Sequence, residues 1–158
     1  MIPFKDIRSA IVRNLAKHLE LEFIELNGGG DIPTGAFFAY DISDLDDGTT
    51  PEIRQVVGQE DRQITGAAFT ATFLSYADDK ATSIENALRA RDWFRTDGYQ
   101  ILKDINVIVS EMTPVENRDI QIGVEWERRQ GFDVELRTKS TASMPLEWIE
   151  KTNLQRSE

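Results

Sequence analysis

The sequence predicts an α+β domain, a mainly antiparallel β-sheet with two helices packed on one face. Three observations point there. An apolar stripe at helical spacing opens the chain, a second lies near its middle, and alternating apolar and polar residues fill the stretches around the second stripe. Strands joined by short turns pair antiparallel, which leaves the helices free to cover one side of the sheet.

The 158 residues suit one domain, 1–158, long enough to bury a core without disulfides. Phe4, Ile7, Ile11, Leu15 and Leu19 recur every three or four residues with Lys5, Arg8, Arg13 and Lys17 between them, which predicts a helix over 1–19. Pro3 suits its first turn, where a missing N–H has no intrahelical partner to lose. A short apolar stretch, 21–26, leads to Asn27-Gly28-Gly29-Gly30-Asp31, whose glycines favour a loop. Residues 35–42, with Phe37, Phe38 and Tyr40, read as a strand.

Residues 43–51 read as an acidic loop, because Gly48, Pro51 and the aspartates favour turns over ladders. The wider region 41–61 carries seven acids (Asp41, Asp44, Asp46, Asp47, Glu52, Glu60 and Asp61) against Arg54 alone, six of the ten net negative charges. Strand formers dominate 52–74, where Ala67, Phe69, Ala71 and Phe73 share one face. Asp78 or Asp79 can cap the second helix, over 79–95, which Asp97-Gly98 ends. A connector at 99–103 precedes an alternating strand through Ile105, Val107 and Val109. A hairpin then joins Ile120, Ile122, Val124 and Trp126 to Phe132, Val134 and Leu136 through Arg128-Arg129-Gln130-Gly131. From Thr138 the chain reads as a polar tail around Met144, Leu146, Trp148 and Ile149, with 145–158 expected to be flexible.

The residues for most chemistries are missing. There is no cysteine, so thiolate catalysis, disulfides and Cys-based zinc sites fall together. The one histidine, His18, lies near the end of the first helix and has no second imidazole to complete a metal pair. Gly28-Gly29-Gly30 lacks the Lys-Ser or Lys-Thr of a phosphate loop. With Gly48 at the sixth position of a calcium loop, the twelfth becomes Arg54, where a bidentate glutamate is required. Glu125 and Glu127 share a strand face, but nothing near them supplies a nucleophile and base. The expectation is no catalytic residue, no metal and no cofactor. No apolar run approaches the roughly 18 residues of a membrane helix, and the first residues lack a secretory signal's pattern. A net charge of −10 argues against a surface built to grip phosphates.

One resemblance gives these exclusions a positive counterpart. Asn117-Arg118-Asp119, continued by Glu125-Trp126-Glu127-Arg128-Arg129-Gln130-Gly131-Phe132-Asp133-Val134-Glu135-Leu136-Arg137, resembles the C-terminal half of the phage neck-terminator (tail-terminator) family. So does the Phe-rich strand that runs through Ser75-Tyr76-Ala77-Asp78-Asp79 into a helix ending Asp92-Trp93-Phe94. The similarity extends loosely over most of the chain, and 41–61 is its least typical part.

The resemblance implies a structural virion protein without enzymatic activity. It would form a ring, commonly hexameric, that caps the tail tube and joins it to the head connector, assembling in the host cytoplasm. Its partners would be copies of itself, the tail-tube protein and the connector or adaptor proteins, with DNA passing through unbound. On that reading Trp126, Arg128, Arg129 and Phe132 are the candidate subunit interface, with Trp126 and Phe132 filling the subunit's own core as the alternative. Asp44, Asp46 and Asp47 are candidates for an acidic loop facing the lumen. Two other function classes stay open: an acidic module that binds a basic partner, or mimics DNA, and a carboxylate-based enzyme.

Overall fold

The opening helix forms where the apolar stripe lies. In the computed structural model, which describes residues 1–49 and 51–146, α1 (Phe4–Leu19) buries Ile7, Ile11, Leu15 and Leu19. Pro3 stands just outside it, and its carbonyl accepts from the Ile7 N–H at 3.1 Å. Glu20 ends the helix in the left-handed region and donates its N–H to Ala16 O.

Strands β1 (Glu22–Glu25), β2 (Phe37–Asp46), β3 (Ile53–Val57) and β4 (Glu60–Tyr76) follow. Helix α2 (Lys80–Arg95) and helix α3 (Asp97–Lys103) come next, then β5 (Ile108–Met112), β6 (Glu116–Asn117), β7 (Ile120–Ile122), β8 (Glu125–Glu127) and β9 (Arg129–Pro145). Seven strands form one sheet in the order β1-β2-β4-β9-β5, with β3 also on β4 and β6 also on β9, while β7 and β8 pair only with each other. The architecture is α+β and every pairing but one is antiparallel. The exception is β1 with β2, which run parallel. A parallel pair needs the chain carried back along the strand, and residues 26–36 do this with Asn27, Gly29, Gly30 and Gly35 at positive φ.

The spine is the β4–β9 ladder, 17 residues on each strand, from Glu60 opposite Pro145 to Tyr76 opposite Arg129. At about 3.4 Å per residue it is roughly 55 Å long. Directly opposed residues point to the same side, so Phe69, Ala71 and Phe73 share a face with Leu136, Val134 and Phe132. On that face they join Trp93 and Phe94 of α2, Leu102 of α3 and the α1 stripe in one core. Phe73 stands 5.5 Å from Phe132 and 5.4 Å from Phe94, ring centre to ring centre. Asp79 caps α2 by accepting from the Thr82 N–H at 2.9 Å, and the Ser83 hydroxyl donates to Ser75 O at 2.7 Å, tying the helix to the end of β4.

Four expectations are corrected. A third helix, α3, occupies the stretch read as a connector, and Asp97-Gly98 opens it rather than ending α2. Gly98 is there because a methyl group would overlap the buried Trp93 indole. The acidic region is mostly strand. β2 continues to Asp46 past an irregularity between Ser43 and Asp46, and β3 with the first residues of β4 forms a hairpin. The predicted hairpin also turns elsewhere. Gly123 (φ 65°) and Val124 make a two-residue turn between β7 and β8, while Arg129-Gln130-Gly131 already belongs to β9. Thr138–Pro145, read as the start of a tail, completes the ladder, and Trp148 and Ile149 lie outside the described residues.

Candidate interaction surfaces

The face of the sheet turned away from the helices is polar and acidic. Asp41 opposes Thr72, which opposes Asp133, and Glu111 opposes Glu135. Like charges directly opposite each other destabilise a ladder, so this face holds them only where solvent or a cation offsets the repulsion. Asp133 has such partners: the Thr72 hydroxyl at 2.7 Å and the Arg118 guanidinium at 3.3 Å. Glu135 has Arg137 at 3.5 Å. Toward the ladder's lower end, Glu52 accepts from the Lys139 ammonium at 2.8 Å, lying over Gly66, where a side chain would collide with the Glu52 carboxylate. That hydrogen bond, helped by the Lys139 charge, holds the Glu52 carboxyl below its ordinary range. Asp44, Asp46 and Asp47 are all exposed at the end of β2, and Asp46 accepts from the Gly48 N–H at 2.9 Å, bending the chain back toward β3.

Beyond the helices, β3, the start of β4 and the end of β9 project as a three-stranded ribbon. Among the described residues no helix covers it, and Ile53, Val56, Val57 and Met144 are exposed. Among the described residues β3 pairs only with β4 on the ribbon's outer edges, and β9 past Thr138 pairs only with β4 apart from the N-terminal amine of Met1, which donates to Thr141 O.

The β7–β8 hairpin projects from the other end of the ladder. Its base is an ionic clamp. Asp119, whose side chain is 4% exposed, accepts from the Arg129 N–H at 2.7 Å and the Arg128 guanidinium at 3.1 Å. Desolvation raises the Asp119 pKa. The hydrogen bonds from Arg129 and Arg128, with the charges of Arg128 and Lys80, outweigh it, and the carboxyl ends below its ordinary value. The Arg129 side chain donates to Arg118 O at 2.6 Å and reaches the Tyr76 hydroxyl at 3.4 Å. Above the clamp, Ile120, Ile122, Val124 and Trp126 are all exposed, Val124 at 95% and Trp126 at 51%. The Arg128 guanidinium lies over the Trp126 ring, 5.7 Å from its centre. Between this hairpin and the glycine loop is a cleft of about 630 Å³, floored by Phe37 stacked on Tyr76 at 4.6 Å.

The structure therefore divides the four candidate interface residues. Trp126 is at the surface and Arg128 holds both Trp126 and Asp119 in place. Arg129 spends its donors inside the subunit. Phe132 is a correction, since it is fully buried against Phe73 and Phe94 and offers nothing to a neighbour. Sequence reading missed the aliphatic surface of Ile120, Ile122 and Val124, because alternation marks a covered strand and a free hairpin alike.

Among the described residues no group of three or more His, Asp or Glu is placed to hold a metal ion. None of the described helices is long and apolar enough to cross a membrane. The family model described as phage neck terminator protein matches residues 5–157. No curated protein matches the chain.

Proposed function

The chain belongs to the phage neck terminator family, and from that premise we propose that it forms a closed ring, of six copies, that ends the tail tube and joins it to the head connector. The neck of the virion is the setting the family gives. The observation that carries it is the union of that family membership with a subunit that leaves one sheet face, two strand edges and two apolar projections uncovered. A cyclic assembly uses two different surfaces of each copy and closes by rotation.

The uncovered sheet face gives the ring's interior a character. Asp41, Glu111, Asp133 and Glu135, extended by Asp44, Asp46 and Asp47, would repel phosphates and let duplex DNA slide rather than stick. The carboxylates need no catalytic partner for this, and the reading assigns the protein no reaction. Binding of a basic partner by mimicry of DNA is less well supported, because these acids share their face with Arg118, Arg137 and Lys139.

Particles assembled without this subunit test the proposal. Electron microscopy should find filled heads separate from tails, and tails of irregular length or unstable ends. Normal joined particles would refute it. A ring structure with the acidic face on the outer rim would refute the lumenal assignment alone.

A further inference from the structure

The ribbon and the β7–β8 hairpin stand at opposite ends of one ladder, the ribbon where Glu60 meets Pro145 and the hairpin where Tyr76 meets Arg129. Each exposes apolar side chains among its charged ones. Val56, 60% exposed, shares a ribbon face with Met144, with Asp61 between them and Arg54 on the same side. Val124 tips the hairpin, and Ile122 shares one of its faces with Ile120, Glu125 and Glu127, while Trp126 opposes Gln121 on the other face. The ribbon face offers Val56 and Met144 and the hairpin Val124 and Ile122, each side chain about half exposed or more, so each patch presents on the order of 150 Å², smaller than the largest apolar patch of a typical monomer. The two patches face to face cover about 300 Å², and the charged rims and strand edges must supply most of the roughly 1,000 Å² of a specific contact. A contact that small is weak alone. It holds when a ring closes, because each copy then makes it twice.

Charge selects the same pair of surfaces. The chain carries −10 overall, yet on the ribbon Glu52, Glu60 and Asp61 are balanced by Arg54, Arg62 and Lys139. On the hairpin Asp119, Glu125 and Glu127 are balanced by Arg118, Arg128 and Arg129. The surplus negative charge lies elsewhere, so two copies meet without net repulsion when they approach by these ends. Among the described residues Arg54 forms no ion pair, and neither do Glu125 and Glu127. A cation waits on one patch and carboxylates on the other. Among the described residues both pieces also end in unpaired strand edges, β3 on the ribbon and the hairpin's own two strands, which can complete each other's backbone hydrogen bonds.

We propose that the β3–β4–β9 ribbon of one copy docks on the β7–β8 hairpin of the next, placing Val56 and Met144 against Val124 and Ile122, and Arg54 near Glu125 and Glu127. This contact rests on the ring reading and names the surfaces that build the ring. It is head to tail, since the two patches differ and sit at opposite ends.

The chain has no cysteine, so Val56→Cys combined with Val124→Cys introduces the only thiols. Particles assembled with the double variant are oxidised mildly and run on non-reducing gels. The expected result is a ladder of cross-linked species ending at the ring's copy number, absent with either single variant. Particles that contain the double variant yet give only monomer, with Met144→Cys plus Ile122→Cys equally silent, would overturn the contact. A dimer from a single-cysteine variant would overturn it too, because like patches would then be meeting. Charge reversal decides the case in which the cysteines block assembly. Arg54→Glu should cut incorporation at least tenfold, and Glu125→Arg with Glu127→Arg in the same chain should restore it. Unchanged incorporation would sink the proposal. The cross-links read contact between copies and the subunit-free particles read the neck role, so either can fail without the other.

Discussion

Replacing Phe132 by alanine separates a core residue from an interface residue. The Phe132 ring is fully buried, 5.5 Å from Phe73 and 6.3 Å from Phe94, and those two rings are themselves fully buried. Rings locked between a sheet and a helix cannot collapse into the space a missing phenyl leaves. The loss should therefore fall in the usual range for Phe→Ala in a rigid core, about 3–5 kcal/mol, and the lost ring pairs favour its upper half. A domain of this size is stable by about 5–15 kcal/mol, so the variant gives up a fifth or more of its stability. Urea titration of the purified subunit should show a lower midpoint with an unchanged slope, and the melting temperature should drop by about 6–20 °C. Trp126→Ala, measured beside it, should move the midpoint by less than about 0.5 kcal/mol and lower incorporation into particles instead. A Phe132→Ala loss below about 1 kcal/mol at unchanged slope would refute the packing argument. So would a Trp126→Ala loss equal to that of Phe132→Ala.

Three further outcomes follow from the same geometry. Gly98→Ala should destabilise by up to about 2 kcal/mol in urea titration, because overpacking against the Trp93 indole outweighs the roughly 1 kcal/mol that alanine adds to a helix; a gain in stability would show that the two can move apart. Asp119 has a depressed carboxyl pKa, so its contribution to stability is complete above its ordinary value of 3.8 and disappears as pH falls through the lower folded value. Wild type and Asp119→Asn should therefore differ in urea midpoint at pH 6 and converge on acidification below about pH 4, and a difference constant with pH would contradict the clamp. Among the described residues the buried Ser75 hydroxyl has no hydrogen-bond partner, and neither does the Nε2 of Gln130 opposite it. Ser75→Ala should accordingly be neutral or stabilising by up to about 1 kcal/mol in thermal melts, and a clear loss would reveal a partner for that hydroxyl.

The parts of the fold that were readable from sequence are those where one face is buried. The α1 stripe and the Phe69, Ala71, Phe73 alternation each reflect a covered face, and Asp79 caps α2 as its position before an apolar run implied. The misread parts lack that asymmetry. Among the described residues nothing covers either face of the ribbon, so Glu52, Arg54, Glu60 and Asp61 carry no strand period and their charges looked like a loop. Glycines misled twice for one reason: their use was spatial. Gly131 lies where a side chain would meet Leu74 and Arg118, and Gly98 where it would meet Trp93, so neither marks a turn. Phe132 looked like half of a local hairpin because nothing local reveals that its strand pairs with β4, more than fifty residues earlier. Of the candidate surface, Trp126 and Arg128 were legible as an aromatic beside a cation. Their fixation by Asp119 was not, since that depends on where the two ends of the hairpin meet.

The long β4–β9 pairing has a mechanical consequence. If neighbours grip the ribbon at one end and the hairpin at the other, tension around the assembly runs parallel to the two strands. Hydrogen bonds of an antiparallel pair lie across the strands, so this pull loads all of them together in shear instead of peeling them one after another. The same subunit hauled apart sideways, from one end of the pairing, would unzip at far lower force. A collar built this way resists outward stretch from packaged DNA most strongly along its own circumference.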